Sequence, residues 1–378
     1  IPEEGSVGAS GDLAPLSHLV LTRIGLGEMI VGGKRVPSGP VLAQAGLAPL
    51  VLSSKEGLAL NNGTSFMTAL GVIALLNSRQ LAKIADIVAG MTVEACLGSI
   101  VPFNARIHAL RPHPGQIATG DNILRLCQSS AIVESHKNCD RVQDSYSLRC
   151  IPQVHGAVKD AIGYVSGVLE REINSVTDNP LVFPEDGVIY SGGNFHGEPL
   201  AIAYDFLAIA IAELANISER RTFKMLSPHL SEGLPAFLIP ADKAGLSSGY
   251  MIAQYTAAAL VNENKTLAHP ASVDSIPTSA SQEDHVSFGM TAANKLQRIV
   301  ANVERVLAIE LMCAAQALDF KQPLPPGAGS AVARDVIRQH IPFLASDRVL
   351  YPDLEAMLPL IPQIIRQVEK QVGPLRLS

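Results

Sequence analysis

Residues 64–97 read TSFMTALGVIALLNSRQLAKIADIVAGMTVEACL, a stretch in which Ala, Leu, Ile and Val recur at three- and four-residue spacing and no proline intervenes. A run of this length and period is a helix, and Gly98 is placed to close it. Three other stretches behave alike. Residues 154–176 carry Lys159, Glu170, Arg171 and Glu172 on a wet side, whereas 196–225 is apolar almost all round until Glu219, Arg220 and Arg221. Residues 283–320 form the longest, with Ile299, Val303, Val306, Leu307 and Leu311 in helical register. Shorter helices are expected over 120–134, 330–340 and 353–372. Strand signals are confined to two hairpins, 28–37 turning at Gly32-Gly33 and 181–190 turning around Glu185-Asp186-Gly187. No alternation of strand and helix suggests a parallel sheet. The expected fold class is all-α in the main, a bundle of long packed helices with a few short hairpins.

Composition narrows the function classes. Of 378 residues, 47% are hydrophobic and only 17% charged, which excludes a disordered chain and implies a large core or an oligomer interface. A net charge of −6 argues against a nucleic-acid partner. Aromatics at 4% and the absence of Trp argue against base-stacking platforms and membrane-interface belts. The apolar runs at 66–77 and 206–212 fall short of the roughly 18 residues a membrane span needs, so no membrane partner is expected. Five cysteines without a CxxC pair read as free thiols in a reducing compartment, hence a cytoplasmic location. Ten histidines include no HExxH, and Pro112 separates His108 from His113, so no metal site is expected.

The chemistry lies in polar, Gly/Pro-rich segments between the helices: 5–15, 58–64, 143–153, 191–199 and 269–285. The first reads GSVGASGDLAP. It lacks the spacing of GxGxxG and the lysine of a P-loop, and it misses the nucleophile elbow GxSxG because Gly11 follows Ser10 directly. An arbitrary Gly/Ser segment is by default a flexible loop. One further reading uses every residue. The amide nitrogen of Gly11, unobstructed by a Cβ, can close onto the carbonyl carbon of Ala9. Loss of water from that ring, then of water from Ser10, leaves an imidazolone bearing an exocyclic methylidene, an electrophile made from backbone. Asp12 is placed to assist the proton transfers.

On these residues the chain resembles the aromatic amino acid ammonia-lyases that use a methylidene-imidazolone (MIO) group. The resemblance runs over the whole chain and includes GLALNNGT (57–64), QDSYSLRC (143–150), SGGNFHG (191–197) and QEDHVS (282–287), in family order. It is closest to the histidine-specific branch. It implies an all-helical fold, an MIO formed autocatalytically from Ala9-Ser10-Gly11 with no metal and no pyridoxal phosphate, and a homotetramer whose sites draw on more than one subunit. The implied reaction is elimination of ammonia from L-histidine to give trans-urocanate. On this basis residues 1–100 are expected to hold the prosthetic-group loop and first core helices, and 101–378 the remaining bundle.

The resemblance also assigns roles. Arg149 is the candidate for the substrate carboxylate, a guanidinium being able to pair with both oxygens; the bland alternative is an ion pair with Asp140 or Asp144. Gln143 and Tyr146 precede it at three-residue steps, and Tyr146 would contact the prosthetic group or the amine. Asn62 would support the prosthetic group, although Asn before Gly is also a common turn pair. Phe195 would wall the ring pocket, with Asn194 and Gln282 as polar candidates beside it. Glu283 is the discriminating residue: a carboxylate can accept an imidazole N–H, but against a phenyl ring it would be buried unpaired. Its bland alternative is an acid at a helix N-terminus. His285 reads as structural rather than catalytic.

Family members carry an upstream segment with a catalytic Tyr, and Ile1 is not an initiator Met. A chain without that segment is expected to fold yet show little activity alone. The alternatives are a phenylalanine or tyrosine ammonia-lyase or aminomutase, and a catalytically silent helical fragment.

Overall fold

The computed structural model describes residues 1–378. Long helices dominate: Ser65–Ala95, Ile151–Glu172, Glu198–Leu226 and Gly289–Asp319. Both hairpins form as two-stranded antiparallel pairs, Glu28–Val31 with Lys34–Pro37 and Leu181–Phe183 with Val188–Tyr190. The mainly α expectation holds.

The differences have local causes. The helix expected from 283 begins only at Gly289, because Phe288 adopts φ 50° and its N–H donates to the Val7 carbonyl at 3.0 Å. Glu283 is therefore not a helix N-terminal acid. The segment 120–134 is two helices, Pro114–Leu126 and Ala131–Ser135; Ser129 turns left-handed between them and Ser130 caps the second through Val133 N–H. Pro359 and Pro362 mark a similar division of 353–372 into Tyr351–Met357 and Ile361–Val372. The helix Met251–Leu267 was not foreseen. By length and composition Glu198–Leu226 is apolar enough to cross a membrane, contrary to the sequence expectation; 67% of its apolar window is buried in the protein, as in a core helix.

The chain forms two compact units, each discontinuous in sequence. The first comprises Ile1–Ala74, Val165–Phe206 and His269–Gln297; the second comprises Leu75–Tyr164, Leu207–Ala268 and Arg298–Ser378. The divisions fall mostly inside the long helices, so each unit is assembled from three stretches.

In the first unit, buried Tyr204 donates its hydroxyl to the Met67 carbonyl at 2.9 Å. Gly71 makes room for that ring, since a Cβ there would lie 2.2 Å from the Tyr204 oxygen. Asp205 accepts the N–H groups of Ala271 and Ser272, both at 2.8 Å, and pairs with Lys295 at 3.0 Å, fixing the start of the 269–285 loop.

The second unit buries a charged network at its core. Asp86 accepts from His155 Nδ1 at 2.8 Å, from Lys159 at 2.5 Å and from Asn122 at 2.7 Å. Arg221 grips Glu310 with Nε at 2.5 Å and Nη2 at 2.8 Å, and its Nη1 lies 3.3 Å from His155 Nε2. The side chains of Asp86, His155, Lys159, Arg221 and Glu310 are wholly buried. Burial disfavours the ionised form of Asp86, yet Lys159 and His155 hold its pKa below the ordinary carboxylate value. Burial pushes His155 down, so the imidazole is neutral, donating to Asp86 and accepting from Arg221.

Candidate active site

The loop 5–12 is a tight turn in the first unit. Gly8 and Gly11 pair across Ala9 and Ser10, and Ser10 sits at φ 50° with Gly11 at φ 78°. A left-handed serine is strained and persists because its surroundings hold it. Those surroundings are the backbone of Gly63: its N–H donates to the Ser10 carbonyl at 2.9 Å and its carbonyl accepts Asp12 N–H at 2.7 Å. A Cβ on Gly11 would lie 2.0 Å from the Gly63 oxygen, so the approach requires glycine. Doubling back over Ala9 and Ser10, with no side chain on Gly11, is the backbone shape an Ala-Ser-Gly cyclisation needs. The residues present fit the group.

Asp12 is fully buried between the loop and the first turn of Ser65–Ala95. Its carboxyl accepts Met67 N–H at 2.8 Å and the Ser6 hydroxyl at 3.2 Å. The unsatisfied amides at that helix start carry partial positive charge. Burial nevertheless dominates and raises the Asp12 pKa to about 6. A carboxyl poised near neutrality can take up and return protons. The same shift costs stability: the folded value lies above the ordinary 3.8, so the neutral form's advantage is intact below about 3.8 and is lost as pH rises through about 6. Asp12→Asn should therefore gain about 1–2 kcal/mol relative to the parent between pH 5 and pH 8, read from urea denaturation at both pH values.

Glu283 arrives from a strained turn. Thr278 and Glu283 pair backbone to backbone, and between them Ser279, Ala280 and Ser281 take φ values of 49°, 55° and 69°. Its Oε1 accepts the Ser10 hydroxyl at 2.8 Å. Its Oε2 accepts Ser279 Oγ at 2.6 Å and Thr278 Oγ1 at 3.0 Å. The Ser279 and Ser10 donors hold the carboxyl below its ordinary pKa, so it is ionised at neutral pH. Ser10 and Glu283, 273 positions apart in sequence, are thus brought together.

Buried Asn62 turns its amide onto Asp178 at 3.0 Å and the Asn179 carbonyl at 3.5 Å. Asp178 is in turn paired with Lys55 at 2.8 Å. It is the neighbouring Gly63, which sequence reasoning passed over, whose backbone meets the loop. Phe195 is half-buried just before Glu198–Leu226, Asn194 donates to the Val176 carbonyl at 3.3 Å, and Gln282 is exposed beside Glu283.

Gln143, Tyr146 and Arg149 belong to the second unit and form a cluster of their own. Tyr146–Arg149 is a single helical turn. The Arg149 guanidinium lies over the Tyr146 ring at 4.7 Å and donates to Gln143 Oε1. Arg149 does not pair with Asp144, which instead accepts Ser99 N–H at 2.7 Å and faces Arg141 at 3.4 Å. The cluster opens on a cavity of about 600 Å³, lined also by Val101, Pro102 and Ile107. Tyr146 is 71% exposed there, and Arg149 Nε is buried without a hydrogen-bond partner.

Ligand atoms of His196, Glu198 and His285 lie within 4.8 Å of one another. Both ring nitrogens of His196 are already engaged, Nε2 with the His285 carbonyl at 3.1 Å and Nδ1 with Glu198 N–H at 3.3 Å. That leaves His196 without a free lone pair for a metal in this arrangement.

Comparison with known proteins identifies the family. The family model described as aromatic amino acid lyase matches residues 1–339. A protein of Gloeobacter violaceus named histidine ammonia-lyase is 57% identical over 99% of this chain and 73% of its own length. The crystal structure of histidine ammonia-lyase from Trypanosoma cruzi superposes with a TM-score of 0.90 at 45% identity, covering 98% of this chain and 71% of that one. Tyrosine aminomutase from Streptomyces globisporus superposes with a TM-score of 0.93 at 39% identity, over 100% and 75% of the two chains. A strained Ala-Ser-Gly turn, a long-helix scaffold and a match over most of the chain agree: this chain belongs to the aromatic amino acid lyase family.

Proposed function

We propose that the chain is a histidine ammonia-lyase subunit, eliminating ammonia from L-histidine to give trans-urocanate. The observation that carries the choice of histidine is the ionised Glu283 carboxylate, 2.8 Å from the Ser10 hydroxyl. A carboxylate at the reacting group suits a substrate that brings an N–H and penalises one that brings a phenyl edge.

The reaction breaks an unactivated Cα–N bond and a Cβ–H bond, and the MIO cyclised from Ala9-Ser10-Gly11 supplies the electron sink it needs, without metal or pyridoxal phosphate. The chain's own residues do the rest. Gly63 N–H holds the Ser10 carbonyl, a fixed donor where electron density is drawn. Asp12 holds or releases a proton near neutrality during ring formation. Glu283 accepts the imidazole N–H, and Phe195 walls the ring, with Asn194 and Gln282 at its polar edge. Arg149 takes the substrate carboxylate, oriented by Gln143, while Tyr146 contacts the amine. In a homotetramer this cluster would serve the site of another copy, in keeping with its exposed face. Five free thiols suit a cytoplasmic enzyme.

In a complete enzyme, Glu283→Gln should lower histidine turnover about a hundredfold, followed as urocanate absorbance, while moving the thermal midpoint little. Unchanged turnover would remove the case for histidine. Product analysis with tyrosine and phenylalanine separates this reading from an aminomutase, which would return a β-amino acid.

A further inference from the structure

Three hydroxyls converge on the Glu283 carboxylate, and they divide unequally between its oxygens. Ser10 takes Oε1 alone, at 2.8 Å. Ser279 and Thr278 both take Oε2, at 2.6 and 3.0 Å. Thr278 is itself fixed by backbone pairing with Glu283: Thr278 N–H reaches the Glu283 carbonyl at 2.8 Å, and Glu283 N–H returns to the Thr278 carbonyl at 3.3 Å. The intervening residues 279–281 are all left-handed, an arrangement that side chains other than glycine rarely adopt. Backbone strain is thus spent on bringing the Ser279 hydroxyl round to the far side of the carboxylate.

The Ser10 hydroxyl departs as water if the loop cyclises. Oε1 then loses its donor, whereas Oε2 keeps both of its own. We infer that Thr278 and Ser279 are positioning residues which clamp Glu283 through Oε2 and so present Oε1 to the N–H that distinguishes the substrate. In the uncyclised chain the Ser10 hydroxyl is the donor that occupies Oε1. A side chain held at one oxygen cannot rotate away when the other is vacated, so the acceptor is ready before substrate arrives. This inference rests on the reading of Glu283 as the imidazole contact.

The test compares calorimetric affinities of the purified protein for 3-(imidazol-4-yl)propionate and 3-phenylpropionate, whose ratio measures imidazole preference. Ser279→Ala, Thr278→Val and the double substitution are set beside Glu283→Gln, with thermal midpoints recorded for each. The double variant should lose about tenfold of the preference, through the imidazole ligand, with phenylpropionate affinity unchanged. Thr278→Ser, which keeps the hydroxyl, should retain the preference. A structural role alone would lower the midpoint and leave the ratio where it was. If Glu283→Gln lowers the ratio and the Thr278 and Ser279 variants do not, the clamp is overturned while the assignment of Glu283 stands. If Glu283→Gln itself leaves the ratio unchanged, that assignment fails and the clamp with it.

Discussion

Replacing Ser10 with alanine should give a protein whose intact mass equals its sequence, whereas the parent should be lighter by two molecules of water. Cyclisation removes one water from the Ala9 carbonyl and Gly11 nitrogen; the second comes from the Ser10 side chain and leaves the conjugated methylidene. The parent should therefore absorb in the near ultraviolet beyond its seven tyrosines, and Ser10→Ala should not. In a complete enzyme, turnover should fall by about a thousandfold or more, because losing the electron sink removes more than the one fixed donor that typically costs a hundred- to a thousandfold. Folding should survive: Gly63, Asp12 and Met67 hold the turn through contacts that do not involve the Ser10 hydroxyl. A parent mass matching the uncyclised sequence would take the electrophile out of the account.

The second large effect is on stability. Glu310→Ala should destabilise the fold by about 3–5 kcal/mol, measured by denaturant unfolding, because it strands the Arg221 guanidinium in a wholly buried site. Arg221→Ala should cost a similar amount from the other side. Replacing both with apolar residues of similar volume should recover most of the loss, since a buried pair roughly balances its own desolvation. A Glu310→Ala variant within about 1 kcal/mol of the parent would mean that the pair behaves as a solvated one.

Periodicity made the long helices readable. Ser65–Ala95 lies within a residue or two of its expected limits, because its apolar positions repeat and Gly98 ends them. Met251–Leu267 escaped for the opposite reason: MIAQYTAAALV has no segregated polar face, and Ile252 and Tyr255 are exposed in this chain while Ala257 is buried. Within the site, Ser10 is legible from the chemistry open to an Ala-Ser-Gly triplet, and Glu283 from the family resemblance of the QEDHVS run. Thr278 and Ser279 are not, since a hydroxyl in a Ser/Thr-rich loop signals nothing until a backbone at φ 49° turns it toward a carboxylate. Gly63 was equally silent; its part is played by main-chain atoms that every residue shares. The last long helix starts later than its spacing suggests because Phe288 turns left-handed and gives its N–H to Val7, a contact that spacing does not reveal.

The charged knot of Asp86, His155, Lys159, Arg221 and Glu310 also bears on how this sequence can drift. Each member answers to at least one other, so a single replacement leaves an ion or a lone pair stranded. Conservative exchange offers no way round it: lysine at 221 would surrender the two-pronged grip on Glu310, and asparagine at 86 would face Lys159 without a countercharge. Removing Arg221 and Glu310 without that loss takes both replacements together. A surface helix tolerates change one substitution at a time, whereas here every first step strands a buried charge.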